Sequence, residues 1–355
     1  MTTVLTLCSA NYLAHAKTLG QSLLEHNPGF LFVIGLVDRI SQGVEAAVRG
    51  IEVIPVEDLA IPGFSEMAAK YGVVELNTAV KPFFMEYLYR RDEAVKEVIY
   101  LDPDILVFDS LEPLVTKLRN CSIVLTPHSC TYDNSPQNLH YEIAMLSTGI
   151  YNLGFIATSR SDTTFTFLRW WQHRLRDYCF NRRGSGMFVD QRWVSLAPLY
   201  FDGICIDKNP GYNMSYWNHF ERRISSHNGK YVVNGSYPLV FYHFSNYNPL
   251  RPEAITNRSS QPTVSFAERP DLLPLYDEYR RRLLKAGYES VRRLEYAFRY
   301  KSPPPGSQAG TGWRLSQNVR RLIQGCLRII VRSIPRALRH RVRRLAQFTA
   351  RNCAK

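Results

Sequence analysis

Short apolar runs alternate with helical patterns along the first hundred residues. The runs at 3–8, 30–36 and 51–56 are the right length for strands, and leucines at helical spacing over 13–25 predict a helix between the first two. This alternation is typical of a doubly wound α/β domain, in which helices flank a mostly parallel sheet. Further strands are predicted at 122–126 and 239–242, and an amphipathic, aromatic helix at 164–179.

Two carboxylates interrupt an apolar run at 98–108, which reads Val-Ile-Tyr-Leu-Asp-Pro-Asp-Ile-Leu-Val-Phe. Ionised carboxylates are costly inside a sheet core, so Asp102 and Asp104 are expected where the strand leaves the sheet, at its carboxyl edge. Open α/β sheets bind ligands at that edge. Acidic side chains one residue apart can hold a hard divalent cation, which in turn clamps phosphate oxygens. A solvated turn is the alternative interpretation.

Other polar residues follow the predicted strands on the same edge. Tyr12 can stack on a base and Asp38 can bind a ribose or base, although capping or surface roles fit each equally well. Asn11 precedes Tyr12 in the same loop. The loop has neither a dinucleotide fingerprint nor a phosphate-binding glycine loop. Because proline suits the first turn of a helix, a helix is predicted to begin near Lys81 and Pro82, with Lys81 at its entrance, near an anionic ligand.

The composition is that of a globular protein, with 45% hydrophobic residues in 355. Seven scattered cysteines without a Cys-x-x-Cys pair argue against a disulfide framework or a zinc site. A reducing cytoplasm is therefore the expected location. The amino terminus has no signal-peptide pattern, and no apolar run approaches the roughly 18 residues of a membrane span.

Basic residues are concentrated at the carboxyl end. Residues 313–355 hold 12 of the 44 lysines and arginines and none of the 31 acidic residues. Apolar residues recur there at helical spacing, which favours a basic amphipathic helix on an anionic membrane surface. Nucleic-acid binding, which is not expected, and a solvated tail are the alternatives. The predicted organisation is a domain at 1–300, a Pro/Gly linker at 301–312 and this tail.

Several segments, in order along the chain, carry a family resemblance. They are Lys81-Pro82 before a helix, the strand with Asp102 and Asp104, Asn152-Leu153-Gly154, Asp190-Gln191, Tyr212-Asn213, and His243 after a strand. Together they resemble the GT-A nucleotide-sugar glycosyltransferases, closest in style to the glycogenin-like and lipopolysaccharide galactosyltransferase group. The resemblance covers roughly residues 1–250. It implies a Rossmann-like GT-A sheet and a hexosyltransferase.

The resemblance also implies roles for individual residues. Asp102, Asp104 and His243 would hold Mn²⁺ or Mg²⁺. Asn11, Tyr12 and Asp38 would hold the nucleoside of a nucleoside diphosphate sugar, such as a UDP-sugar. The sugar would lie among Lys81, Asn152, Asp190 and Gln191, and Asp102 would also touch the donor. The nearest group retains the anomeric configuration, so Asp190 or Gln191 would steady the reacting centre; in an inverting enzyme, Asp190 would be the base.

The sequence departs from the group after His243, where a phosphate-binding lysine is missing; Lys208, Arg251 or Lys81 would have to replace it. The expected acceptor is a glycan or a lipid-linked glycan in surface polysaccharide or lipopolysaccharide synthesis, with the protein peripheral on the inner face of the membrane. An inactive nucleotide-sugar-binding scaffold and a nucleotidyltransferase are the alternative functions.

Overall fold

A computed structural model describes residues 1–132, 134–257 and 264–298, with no side-chain description for 136–138. These residues belong to one compact unit. The predicted linker and basic tail at 301–355 lie outside the described residues. Within the described ranges, no helix has both the length and the apolarity needed to cross a membrane.

Strands and helices follow one another along the chain as the alternation predicted. The strands are β1 (Thr2–Cys8), β2 (Leu31–Leu36), β3 (Glu52–Pro55), β4 (Glu97–Leu101), β5 (Ile105–Val107), β6 (Ile123–Leu125), β7 (Phe155–Ser159), β8 (Asn181–Arg182), β9 (Met187–Phe188), β10 (Ile204–Ile206), β11 (Ile224–His227), β12 (Lys230–Val233), β13 (Tyr237–Pro238) and β14 (Phe241–His243). The helices are α1 (Leu13–His26), α2 (Gln42–Ala47), α3 (Phe64–Lys70), α4 (Val73–Ala79), α5 (Lys81–Arg91), α6 (Glu112–Leu118), α7 (Pro136–Thr148), α8 (Asp162–Tyr178), α9 (Gln191–Val194), α10 (Ala197–Tyr200), α11 (Leu273–Lys285) and α12 (Tyr288–Val291).

A seven-stranded sheet organises the unit, in the order β10-β6-β7-β4-β1-β2-β3. Its strands run parallel except β7, which is antiparallel to both β4 and β6. The predicted fold class, a mostly parallel α/β sheet flanked by helices, is confirmed. The helix predicted at Pro82 is also confirmed, because α5 begins at Lys81 with the proline in its first turn.

Alternating side chains of the central strand fill two separate cores. Val98 and Tyr100 of β4 pack on one face with residues of α5 and α8. Ile99 and Leu101 pack on the other face with residues of α1 and α6. A strand that is buried on both faces reads as a continuous apolar run, which explains why the polar residues after it stand out in the sequence.

The apolar run at 98–108 is two strands joined by a turn, not one. β4 ends at Leu101, and β5 leaves the main sheet to pair with β14 in antiparallel orientation. In that register His243 lies opposite Ile105. The pairing of β5 with β14 therefore brings the end of β14 next to the turn that holds the acidic pair. His243 is 139 residues further along the chain than Asp104.

Two features differ from the sequence-based expectation. The polar and aromatic composition of residues 128–147 predicts a loop region, but most of the helix α7 lies within it. Cys121, two residues before β6, and Cys205, in the neighbouring strand β10, form a disulfide, although the cysteine pattern predicted no disulfide framework. The bond joins residues 84 apart, so no local spacing announces it. Since disulfides are rare in a reducing cytoplasm, this bond does not support the expected location.

We expect Leu19→Ala in α1 to lower the free energy of unfolding by about 2–5 kcal/mol, because the side chain is fully buried and its loss leaves a cavity. Leu24→Ala in the same helix is the matched control, since Leu24 is 42% exposed, and should cost about 1 kcal/mol or less. Urea denaturation of the two variants checks this. Equal losses would contradict the placement of α1 against the sheet.

Candidate functional site

A cavity of 420 Å³ opens at the carboxyl edge of β4. The predicted site residues line it, with the exception of Asn11 and Asp38; those on its wall are Tyr12, Lys81, Asp102, Asp104, Asn152, Asp190, Gln191 and His243. The volume lies in the range typical of small-molecule sites. Residues from six separate parts of the chain thus meet at the edge where α/β sheets bind ligands.

Asp102, Asp104 and His243 bring one potential ligand atom each to a common point. These three atoms lie within 4.8 Å of one another. His243 Nε2 is 3.0 Å from Asp104 Oδ1 and 3.7 Å from Asp102 Oδ2. Two carboxylates and an imidazole form a donor set that suits Mn²⁺ and accommodates Mg²⁺.

A chain of hydrogen bonds sets which nitrogen of His243 is available. His243 Nδ1 lies 3.3 Å from Asn213 Oδ1, and an amide oxygen can only accept, so Nδ1 carries the proton. Asn213 Nδ2 donates in turn to Asn152 Oδ1 at 3.1 Å, and Asn152 Nδ2 donates to His128 Nε2 at 3.2 Å. Nε2 is therefore the nitrogen that faces the acidic pair and that would bind a metal ion once its proton is lost, which is the orientation that an outer partner gives to a metal-binding histidine.

The absence of a side chain at residue 154 makes room for the imidazole of His243. A Cβ at Gly154 would lie 2.5 Å from His243 Cε1 and 2.8 Å from Asn152 Oδ1. The indole of Trp217 packs edge-on against the other side, with ring centroids 5.1 Å apart. His243 is thereby held in one position, with Nε2 facing the two carboxylates, as a ligand of a divalent cation would be.

The electrostatics of the pair agree with cation binding. Burial opposes ionisation of Asp104, but the charge of His243 and its hydrogen bond outweigh burial and lower the pKa of the carboxyl. Burial likewise opposes protonation of His243, and Asp104 outweighs it and raises the pKa of the imidazole. The site thus favours a positive charge between the two groups.

Tyr100 holds Asp102 in position, and Lys81 packs against the ring of Tyr100. The Tyr100 hydroxyl donates to Asp102 Oδ1 at 2.6 Å, and Lys81 Nζ lies 4.1 Å from the centroid of the Tyr100 ring. Burial, followed by the charge of Asp102, raises the pKa of Tyr100 far above its ordinary range, so the hydroxyl remains a donor. The backbone N–H of Asp102 donates to Gly154 O at 2.8 Å, which fixes the turn to β7.

Lys81 and Asp190 form a buried ion pair. Lys81 Nζ lies 2.5 Å from Asp190 Oδ2 and donates to Leu153 O at 2.8 Å. Burial raises the pKa of Asp190, and the charge of Lys81 opposes that rise. Because a buried charge without its partner is costly, each residue holds the other in place. Lys81 is therefore already neutralised within the protein.

Gln191 has both ends of its amide bound to the backbone. Its Nε2 donates to Thr148 O at 2.8 Å, and its Oε1 accepts from Leu153 N at 3.4 Å. The indole N–H of Trp171 donates to the neighbouring Asp190 O at 3.3 Å. Gln191 thus links α7 to the 152–154 segment, and the backbone of Asp190 links the same part of the wall to α8.

The predicted nucleoside residues are placed differently from one another. Tyr12 lines the cavity, is 42% exposed and stacks on His15, with ring centroids 4.4 Å apart. Burial lowers the pKa of His15 to about 4, so that ring is neutral. Asn11 accepts from Ser9 Oγ at 2.7 Å and does not line the cavity. Asp38 is buried and accepts from three backbone N–H groups, those of Ala10, Arg39 and Ala297.

The structure adds lining residues that were not singled out as site residues from the sequence. Arg183 brings a cation to the cavity wall, whereas Lys208 and Arg251, the expected substitutes for the missing lysine, do not line it. Arg183 stands over the ring of Phe188, 4.9 Å from its centroid. His128 also lines the cavity. Asn213 does not line it, but its side chain accepts the hydrogen bond from His243 Nδ1. Nothing in the local sequence around Arg183 marks it, while Asn213 belongs to the Tyr-Asn segment noted above.

Two curated proteins of Bacillus subtilis (strain 168) are similar to this chain, and both are described as uncharacterized. YfnF is 26% identical over 268 residues, covering 73% of this chain and 88% of its own length. YfnD is 22% identical over 246 residues, covering 68% of this chain and 76% of its own length. No family model matches the sequence.

Solved structures of glycosyltransferases are also similar. The galactosyltransferase LgtC, in complex with donor and acceptor sugar analogues, is 16% identical, covers 78% of this chain and 95% of its own, and has a TM-score of 0.45. The apo form of GlyE from Streptococcus pneumoniae TIGR4 is 16% identical, covers 81% and 63%, and has a TM-score of 0.46. The chain is thus similar to members of the enzyme class that its motifs resemble.

Proposed function

We propose that this protein is a divalent-metal-dependent glycosyltransferase that moves a sugar from a nucleoside diphosphate sugar, such as a UDP-sugar, to a glycan or lipid-linked acceptor. The observation that carries the proposal is the meeting of Asp102, Asp104 and His243 in one cavity, with ligand atoms within 4.8 Å of one another. The donor set, the hydrogen bonds through Asn213 that orient His243 and the adjoining space for a ligand together support that chemistry.

Asp102, Asp104 and His243 would hold Mn²⁺ or Mg²⁺. When bound, the ion would act as a Lewis acid that neutralises negative charge on the leaving diphosphate. Arg183 supplies a further positive charge at the cavity wall and takes the part for which the sequence suggested Lys208, Arg251 or Lys81. The exposed ring of Tyr12 offers a stacking surface for the base.

The carboxylates that line the cavity favour retention of configuration. They are Asp102, Asp104 and Asp190, of which two belong to the metal site and the third is paired with Lys81. An inverting transfer needs a free carboxylate to take the proton of the acceptor hydroxyl. Since the described lining offers none, Asp190 and Gln191 steady the sugar at the reacting centre while the acceptor attacks from the same face.

NMR of the product is expected to show an unchanged anomeric configuration. An inverted anomer would contradict retention.

The acceptor and location follow from the chain outside the described residues. A basic amphipathic segment at 313–355 favours attachment to an anionic membrane surface. Such attachment suits a lipid-linked precursor in surface polysaccharide or lipopolysaccharide synthesis, at the inner face of the membrane.

We expect Asp104→Asn to lower Mn²⁺-dependent hydrolysis or transfer from a nucleotide-sugar donor by roughly 100-fold or more, because one ligand loses its charge. The thermal midpoint should change little. The matched control is Asp58→Asn, which alters an exposed aspartate away from the cavity. Undiminished turnover in purified Asp104→Asn would refute the metal site. Tight Mn²⁺-dependent donor binding without any turnover by the wild type would instead favour the inactive scaffold.

Gly154→Ala should weaken Mn²⁺ binding by roughly tenfold or more, because the new methyl group would displace the His243 ring by contact at 2.5 Å. Gly29→Ala is the control, since its added Cβ would meet nothing within 4 Å. Isothermal titration with MnCl₂ measures both affinities. Equal affinities in the two variants would show that the imidazole position does not govern the site.

Removal of residues 303–355 should lower partitioning to vesicles that contain phosphatidylglycerol, because each basic residue near an anionic surface contributes about 1 kcal/mol. Donor binding, measured by thermal shift with Mn²⁺, should not change. Equal flotation of the full-length and shortened chains would rule out a membrane role for the tail.

A further inference from the structure

The helix α7 presents an apolar face to solvent. Leu139, Ile143 and Leu146 recur at intervals of four and three residues and are 56%, 57% and 66% exposed; Ile150, just after the helix, is 46% exposed. Single exposed apolar side chains are ordinary on a protein surface, but an aligned row of them marks an interaction site. We call these four residues the α7 face.

The opposite side of the same helix forms part of the cavity wall. Tyr141, Ala144, Met145 and Thr148 line the cavity that holds the acidic pair. A helix with its side chains is about 10 Å thick. Whatever binds to the α7 face therefore lies about one helix diameter from the proposed reaction site.

Positive charge accompanies the α7 face. Helix α7 contacts β9 and α9; the hairpin β8–β9 carries Arg182, and helix α9 carries Arg192. Within the described residues neither of these two arginines pairs with a carboxylate, and Arg182 lies over the ring of Phe180. Glu142 is the one acidic residue in α7, β8, β9 and α9. Apolar side chains beside uncompensated arginines are the combination that an anionic lipid surface selects.

We propose that the α7 face is a docking surface for an anionic phospholipid bilayer, separate from the basic tail. Docking inserts Leu139, Ile143, Leu146 and Ile150 among the acyl chains near the headgroups, while Arg182 and Arg192 contact lipid phosphates. The cavity then lies about one helix diameter from the membrane. That a lipid-linked acceptor reaches the cavity from this side rests on the proposed function; the docking itself does not.

Quenching of an introduced tryptophan by brominated lipids tests the contact locally, in the full-length chain. We expect the added fluorescence of Leu146→Trp, relative to wild type, to be quenched by vesicles of brominated phosphatidylcholine and phosphatidylglycerol. Leu24→Trp is the matched control, because Leu24 is 42% exposed on α1, and its added fluorescence should not be quenched. If the tail alone binds lipid, Leu146→Trp will behave as Leu24→Trp does, and the proposal is overturned.

A second pair of variants measures what the face contributes to binding. Ile143→Asn with Leu146→Asn should lower partitioning of the full-length chain to the same non-brominated vesicles by roughly tenfold, because two apolar side chains no longer leave water. Leu24→Asn with Leu31→Asn, which changes two residues of 42% and 41% exposure elsewhere, should leave partitioning unchanged. Partitioning of the first variant at the wild-type level would refute docking through α7. A wild type that dimerises without lipid, and loses the dimer in this variant, would also overturn it in favour of a second copy of the chain.

Mn²⁺-dependent donor hydrolysis in solution separates this proposal from the proposed function. The variant with Ile143→Asn and Leu146→Asn should hydrolyse donor as the wild type does, because these two side chains are exposed and do not line the cavity. Absence of hydrolysis in the wild type, with lipid quenching intact, would remove the glycosyltransferase proposal and leave the docking surface standing.

Discussion

The proposed site depends on the pairing of β5 with β14, just beyond the carboxyl end of β4. β4 ends at Leu101, and β5 leaves to pair with β14, which places His243 Nε2 3.0 Å from Asp104 Oδ1. Two carboxylates in an apolar strand would be unstable within the core, so the chain turns out of the sheet there. The same turn that relieves this cost creates a point where acids and an imidazole can share a cation.

A second buried interaction holds the wall on which the sugar would lie. Lys81 begins α5 and Asp190 precedes α9, and their ion pair is almost fully excluded from water. Breaking such a pair by removing one partner leaves an uncompensated charge, which makes the pair a strong constraint on geometry. Gln191 extends the constraint by bonding to Thr148 of α7 and to Leu153. Helix α7 is thereby attached to the proposed site on one side, while its other side remains apolar and exposed.

The two sides of α7 have different surroundings. One side forms part of the cavity wall and the other presents Leu139, Ile143 and Leu146 to solvent, with Arg182 in the β8–β9 hairpin and Arg192 in α9. The proposed transfer to a lipid-linked acceptor would require a membrane-bound group to reach a polar cavity. A short amphipathic helix with one side on the cavity and the other on the proposed docking surface would meet that requirement.

The sequence by itself determined the α/β class, the start of α5 near Pro82 and the position of Asp102 and Asp104 at a strand's end, because apolar periodicity, proline geometry and the cost of buried charge are local properties. It also marked some of the residues on the cavity wall through the resemblance of short motifs. Only the tertiary structure decided the rest: that Asp38 accepts three backbone N–H groups outside the cavity, that Lys81 is neutralised by Asp190, that Cys121 meets Cys205, and that Arg183 reaches the cavity wall. Each of these depends on contacts between segments far apart in sequence, and strand pairing, which sets those contacts, leaves no local pattern from which they can be read.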